Sequence, residues 1–172
     1  MAKRLYLRTD PSFKGESVEA NHRDWIELVS FGWGETRSGA RPGTDIAKSA
    51  VPKFASLKIV KRVDRSSPQL MTSCAKEKVF NEWRIHVAET QSAQGPHCFY
   101  GVRLLAAVVS AFEASCEDPN LIEAISVIFD KIEFEYVYML NGLPQGSIVR
   151  GYDLVGDSTY EPKPFLSFHP QA

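Results

Sequence analysis

The chain has 172 residues and a formal net charge of −1, with 44% hydrophobic and 24% charged residues. That length suits one domain with a substantial core, and the composition is that of a globular rather than a disordered protein. A dedicated nucleic-acid binder carries a basic face, which this balance argues against. No run approaches the ~18 consecutive apolar residues of a spanning helix, so no membrane insertion is expected.

The opening "MAKRLYLRTD" lacks the apolar centre of a signal peptide. Cys74, Cys98 and Cys116 form neither a CxxC nor a zinc-ligand spacing. They read as reduced, buried thiols of a protein folded in the cytoplasm. Any export would then proceed without a cleaved signal.

Along the chain a period of two dominates. "RLYLR" reads as a short strand, ended by the turn-rich "TDPSFKGES". In "DWIELVSFGWG", Val29, Phe31 and Trp33 fall on one face, and Ser30, Gly32 and Gly34 on the other. Residues 35–56 read as a long polar loop. "SLKIVKRV" sets Leu57, Ile59 and Val63 against Lys58 and Arg62. In "DRSSPQLMTSCAKEKVF", Ser67 is an N-cap candidate and Pro68 fits the first helical position. Leu70, Met71, Cys74 and Ala75 then recur at helical spacing, which predicts one short helix over about 67–77.

"EWRIHVAE" sets Trp83, Ile85 and Val87 against Arg84 and His86. "CFYGVRLLAAVVSAF" is apolar on nearly both faces. In "KIEFEYVYML", Ile132, Phe134, Tyr136 and Tyr138 alternate with Glu133 and Glu135, and "SIVRGYDL" reads as the last strand. The order excludes a parallel α/β fold, which needs a helix between most strands. The expected class is mainly β: a two-sheet antiparallel barrel or sandwich with one short flanking helix. Residues 1–160 form the expected domain, and 161–172 a proline-rich tail whose Phe165 and Phe168 call for a partner surface.

The motifs of chemistry fail one by one. Gly32-Trp33-Gly34 lacks the third glycine and the following helix of a dinucleotide loop. "GTDIAKS" lacks the glycine before the lysine of a phosphate loop. "GDS" at 156–158 reads as a polar turn, because Ser158 has only His169 downstream and no rigid base and orienter. His97 and Cys98 are strand neighbours pointing to opposite faces. His22, His86, His97 and His169 show no metal spacing. Glu133 and Glu135 read as a solvated strand face. Neither catalysis, cofactor nor metal is expected.

Four segments, "FKGES", "IELVSFGWGETRSG", "IVKRVDRSSPQLMTSCAKEKVF" and "IEFEYVY", occur in that order. Together they make the chain, over roughly residues 4–155, resemble the Hcp family, the haemolysin-coregulated proteins of the bacterial type VI secretion system. The most specific parts are Phe31 to Gly34 and the helix entry Asp64-x-Ser66-Ser67-Pro68-x-Leu70.

The resemblance implies a barrel-like protomer of two sheets, six of which form a ring. Rings stack into an inner tube fired by a contractile sheath and exported with it, effectors carried in the lumen. Implied partners are copies of the chain, the sheath, the spike protein and effectors; no fused enzyme is expected. In the family, the strand at Phe31 belongs to the sheet lining the pore. Val29, Phe31, Trp33 and Trp83 would then fill the core, while Ser30, Gly32 and Gly34 keep the lumen open. The other reading of these glycines is a bulge or bend. In loop 35–56, Arg37, Arg41, Asp45 and Lys48 could make contacts between rings or protomers, or the loop could be a surface loop, disordered in the isolated ring. The alternative function is a monomeric β-barrel that binds a small apolar ligand.

Overall fold

The computed structural model describes residues 3–37, 51–89, 97–117, 119–141 and 143–166. Its strands are β1 (Lys3–Asp10), β2 (Ile26–Gly32), β3 (Glu35–Arg37), β4 (Pro52–Phe54), β5 (Leu57–Arg62), β6 (Val79–Glu89), β7 (His97–Glu117), β8 (Asn120–Ile128), β9 (Lys131–Leu140), β10 (Leu143–Asp153) and β11 (Ser158–Tyr160). One sheet runs β11-β10-β9-β7-β6-β1-β2-β5-β8, and a further pairing of β8 with β7 closes six of these strands into a barrel. Every pairing is antiparallel.

The 21-residue β7 makes this topology possible. It pairs with β6 along one edge. On its other edge Tyr100–Leu105 pairs with β9, and Val108–Glu117 pairs with β8. The switch falls at Ala106, whose φ of 50° lies in the left-handed region that non-glycine residues rarely adopt. The doubly apolar reading of this segment has its cause here. Val102 and Leu104 before Ala106, and Ala107 and Val109 after it, fill the barrel, so the inward parity changes along the strand, and Tyr100 and Phe112 pack against the same core.

Inside the barrel, Leu7, Ile26, Leu57, Ile59, Phe80, Trp83, Ile85 and Ile125 join those side chains in one continuous cluster. The single α-helix among the described residues, α1 (Ser67–Ala75), packs on β7 and buries Leu70 in this cluster. Its N-cap is Ser66, one residue before the expected Ser67, which puts Pro68 at the second helical position. Asp64 sets that start, because its Oδ1 accepts from the Ser66 amide. Ser67 instead turns inward. Its Oγ donates to Glu123 Oε2 at 2.8 Å and accepts from Lys61 Nζ at 2.9 Å.

Lys61 follows Leu57 and Ile59 on the inner face of β5 and is fully buried. Its ammonium also pairs with Asp64 at 2.9 Å and Glu123 at 2.8 Å, so each of its three protons has an acceptor. The helix ends in a Schellman pair, Glu77 N to Cys74 O and Lys78 N to Ser73 O. Glu77 takes the left-handed position with φ 49°.

Candidate functional site

Strand β2 changes face midway. Leu28 pairs with Lys61 and Ser30 with Val60, so Val29 is the extra residue of a β-bulge. Ile26 and Leu28 point into the barrel before the bulge, and Phe31 and Trp33 lean inward after it. Val29 is therefore not core, as expected from strict alternation, but 50% exposed. Phe31 and Trp33 are half-buried, and Trp83 is fully buried. Trp33 Nε1 donates to the Tyr100 hydroxyl at 3.0 Å, and Phe31, Trp33, Tyr100 and Phe134 form an aromatic group where the barrel meets the β9 branch.

Ser30 and Gly32 are exposed and Gly34 half-buried. A β-carbon built on Gly32 or Gly34 meets no atom of the described chain within 4 Å. The bulge itself falls on Val29, not on a glycine. The expected long loop begins and ends as a two-stranded ribbon, with Glu35 opposite Phe54 and Arg37 opposite Pro52. Phe54 roots it on Phe129 and Tyr152. Arg37 is exposed; Arg41, Asp45 and Lys48 lie outside the described residues.

The β9–β10 hairpin has two different faces. On one, Tyr136, Tyr138 and Leu140 alternate beside Ile148 and Leu143, and all five are exposed. On the other, Glu133 and Glu135 are buried, contrary to the solvated face expected of them. β11 and the chain beyond it cover them. Glu135 Oε2 accepts from the amides of Phe165 at 2.6 Å and Leu166 at 2.7 Å. Glu133 pairs with Arg103 and accepts from the Tyr160 hydroxyl at 2.8 Å. Burial, reinforced by that carboxylate, raises the Tyr160 phenol. Phe165 thus finds its partner surface in its own chain. It lies over Gly101, where a β-carbon would sit 2.8 Å from its ring, with the Arg103 guanidinium 4.8 Å from the ring centre.

A third feature lies on the outer face of β1, β6 and β7. The 3-10 turn Ala20–His22 folds back over β1, and Tyr6 stacks on His22 with ring centres 4.3 Å apart. His22 Nδ1 donates to Glu19 Oε2 at 2.6 Å. His22 Nε2 lies 3.0 Å from His86 Nδ1, and Cys98 Sγ lies 3.5 Å from the first nitrogen and 3.7 Å from the second. Burial, with His22 and Arg84 nearby, pushes His86 down to about 3; burial and Glu19 push Cys98 up to about 12. Among the described residues these are the side chains whose donors lie close enough to share a metal ion.

No sequence spacing announces this group, and strand parity even argues against it. A register shift between Val87 and Ala88 of β6 sets Ala88 opposite Cys98, with Phe99 as the extra residue. That bulge turns Cys98 onto the face of His86. The thiols are all free, with Cys74 and Cys98 half-buried and Cys116 exposed, so burial does not extend to all three as expected.

No helix among the described residues is long and apolar enough to cross a membrane. No curated protein sequence matches the chain. Among solved structures, one described as a type six secretion system protein superposes with a TM-score of 0.82 at 21% identity, covering 92% of this chain and 100% of that one. Hcp1 from Salmonella typhimurium gives 0.75 at 22% identity, over 93% and 100% of the two chains. A type VI secretion system effector from Yersinia pestis gives 0.67 at 17%, over 87% and 98%. At such identities these likenesses establish the fold. The family model described as "Type VI secretion system effector, Hcp" matches residues 6–136, from within β1 to within β9 and so around the whole barrel. The chain belongs to the Hcp family of type VI secretion proteins.

Proposed function

We propose that this chain is a structural ring protein of the type VI secretion system rather than an enzyme. Six copies close into a ring, rings stack into the inner tube, and the tube leaves the cell with effectors in its lumen. The family match over 6–136 carries this reading. Sheath, spike and effectors are the partners that such a tube requires.

Two features of the chain support it. A closing ring needs a heterologous, head-to-tail contact. The exposed Tyr136, Tyr138, Leu140, Leu143 and Ile148 offer a contiguous apolar strip of the kind such contacts bury. Ser30, Gly32 and Gly34 are small although no atom of the described residues would crowd a β-carbon at Gly32 or Gly34, as expected of a surface that must stay bare toward a channel. Arg37, at the end of the ribbon away from its root, and Arg41, Asp45 and Lys48 would make polar contacts to a neighbouring copy. A ligand-binding barrel would need interior space that Phe80, Trp83 and their neighbours occupy.

Light scattering and electron microscopy of the purified chain test the assembly. Six-membered annuli are expected, and Ile148→Asp, which sets a charge in the apolar strip, should leave monomers that keep the native circular-dichroism spectrum. A wild-type chain that remains monomeric at high concentration overturns the proposal.

A further inference from the structure

Ring building as proposed draws on β2 and the β9–β10 strip, and not on the His22, His86 and Cys98 cluster. We propose that His22 Nε2, His86 Nδ1 and Cys98 Sγ bind one zinc ion, with Glu19 as the outer partner of His22, and that the ion pins the 3-10 turn to β6 and β7.

The spacing carries the assignment. Zinc takes imidazole nitrogen at about 2.0–2.1 Å and thiolate sulfur at about 2.3 Å, in tetrahedral geometry. Those bonds set nitrogens about 3.4 Å apart and nitrogen from sulfur about 3.6 Å apart. The three separations here are 3.0, 3.5 and 3.7 Å. A small outward movement of one ring completes three corners of the tetrahedron, and a water fills the fourth.

The surroundings agree with that use. A metal-binding histidine usually donates its other N–H to a carboxylate, which fixes the tautomer and aims the free lone pair at the ion. Glu19 does this for His22, and the same Oε2 also accepts from the Asn21 amide, which holds the carboxylate in place. The rings are held too: Tyr6 stacks on His22, and Trp25 packs against both imidazoles. Two imidazoles and a thiol suit zinc, whereas calcium and magnesium demand oxygen ligands.

The exchange balances. Without an ion, His86 Nδ1–H donates to His22 Nε2 and Cys98 keeps its proton. On binding, the His86 proton moves to Nε2 and the Cys98 proton leaves to solvent as the thiolate–zinc bond forms. One proton is released per ion, and no oxidant or reductant takes part.

The test uses the full chain, kept reduced with a phosphine, stripped by a chelator, and titrated with Zn²⁺ against a chromophoric competitor and separately with Co²⁺. One zinc per chain is expected, a melting temperature that rises with zinc concentration, and in the cobalt form tetrahedral d–d bands with a sulfur-to-cobalt charge-transfer band. Cys98→Ser should abolish the charge-transfer band and weaken zinc binding by at least ~10–100-fold. Glu19→Gln should keep the tetrahedral bands and weaken binding by ~10–100-fold, the usual cost of an outer partner. Cys74→Ser and Cys116→Ser should change nothing. Circular dichroism of each stripped variant checks that it is folded. No stoichiometric uptake by the wild type, uptake unchanged in Cys98→Ser, or uptake lost in Cys116→Ser would each overturn the assignment.

Discussion

Replacing Lys61 by Met tests how α1 is held to the barrel. Methionine keeps the length and aliphatic contacts of the side chain and removes only the ammonium. The Lys61 side chain is completely buried, and those of Asp64 and Glu123 are 9% and 4% exposed, so solvent can do little to compensate. Breaking a buried ion pair from one side typically costs ~3–5 kcal/mol, because the remaining charge stays desolvated and unpaired. In a domain of this size ~1 kcal/mol moves the melting temperature by about 2–4 °C, so a fall of about 6–20 °C is expected. Thermal unfolding followed by circular dichroism at fixed protein concentration reads it. The double variant Lys61→Met, Glu123→Met removes the stranded carboxylate as well, and should lose less than the two single variants added together. A Lys61→Met chain within ~1 kcal/mol of wild type, or strict additivity in the double variant, would refute the role given to this network.

Glu135→Ala removes the acceptor for the Phe165 and Leu166 amides, each bond to a carboxylate being worth ~1.5–3 kcal/mol. The terminal segment should detach, and amide exchange at Leu166 should rise; unchanged protection there counts against the docking described. Glu77→Gly relieves a left-handed residue at the end of α1 and should stabilise the chain by ~0.5–1 kcal/mol in urea titrations, whereas a loss of stability would contradict that backbone reading. The Lys131 ammonium, 2.8 Å away, holds the Asp153 carboxyl below its usual range, helped by the Gly156 amide. The lowered pKa makes its contribution complete above the unfolded value of about 3.9 and lost as pH falls through the folded one. NMR should therefore show the β10–β11 turn opening in acid, with no such carboxylate-linked step in Asp153→Asn; the same transition in both chains would rule Asp153 out as its cause.

Alternation along β1, β6 and β9 is strong enough to be read directly, because half-buried strands repeat every two residues. Helix α1 is legible to within a residue of its start, since Pro68 and the Leu70–Cys74 spacing are local signals. What escapes local reading is set by the third dimension. Val29 stands outside the core because a bulge, invisible in composition, resets parity within β2. Glu133 and Glu135 look solvated until a segment 30 residues later lies over them. His86 and Cys98 meet His22 only because β6 and β7 pair next to β1 and a second bulge rotates the thiol. Tertiary contacts between residues 64 and 76 positions apart leave no spacing to recognise.

The unbroken passage of β7 through barrel and branch has a mechanical consequence. Force applied to the β9–β10 hairpin crosses the ladder between β9 and Tyr100–Leu105 into β7, and β7's own backbone carries it on into the closed cylinder. Among the described residues, hairpin and cylinder share this strand, so thrust on one is borne by the other.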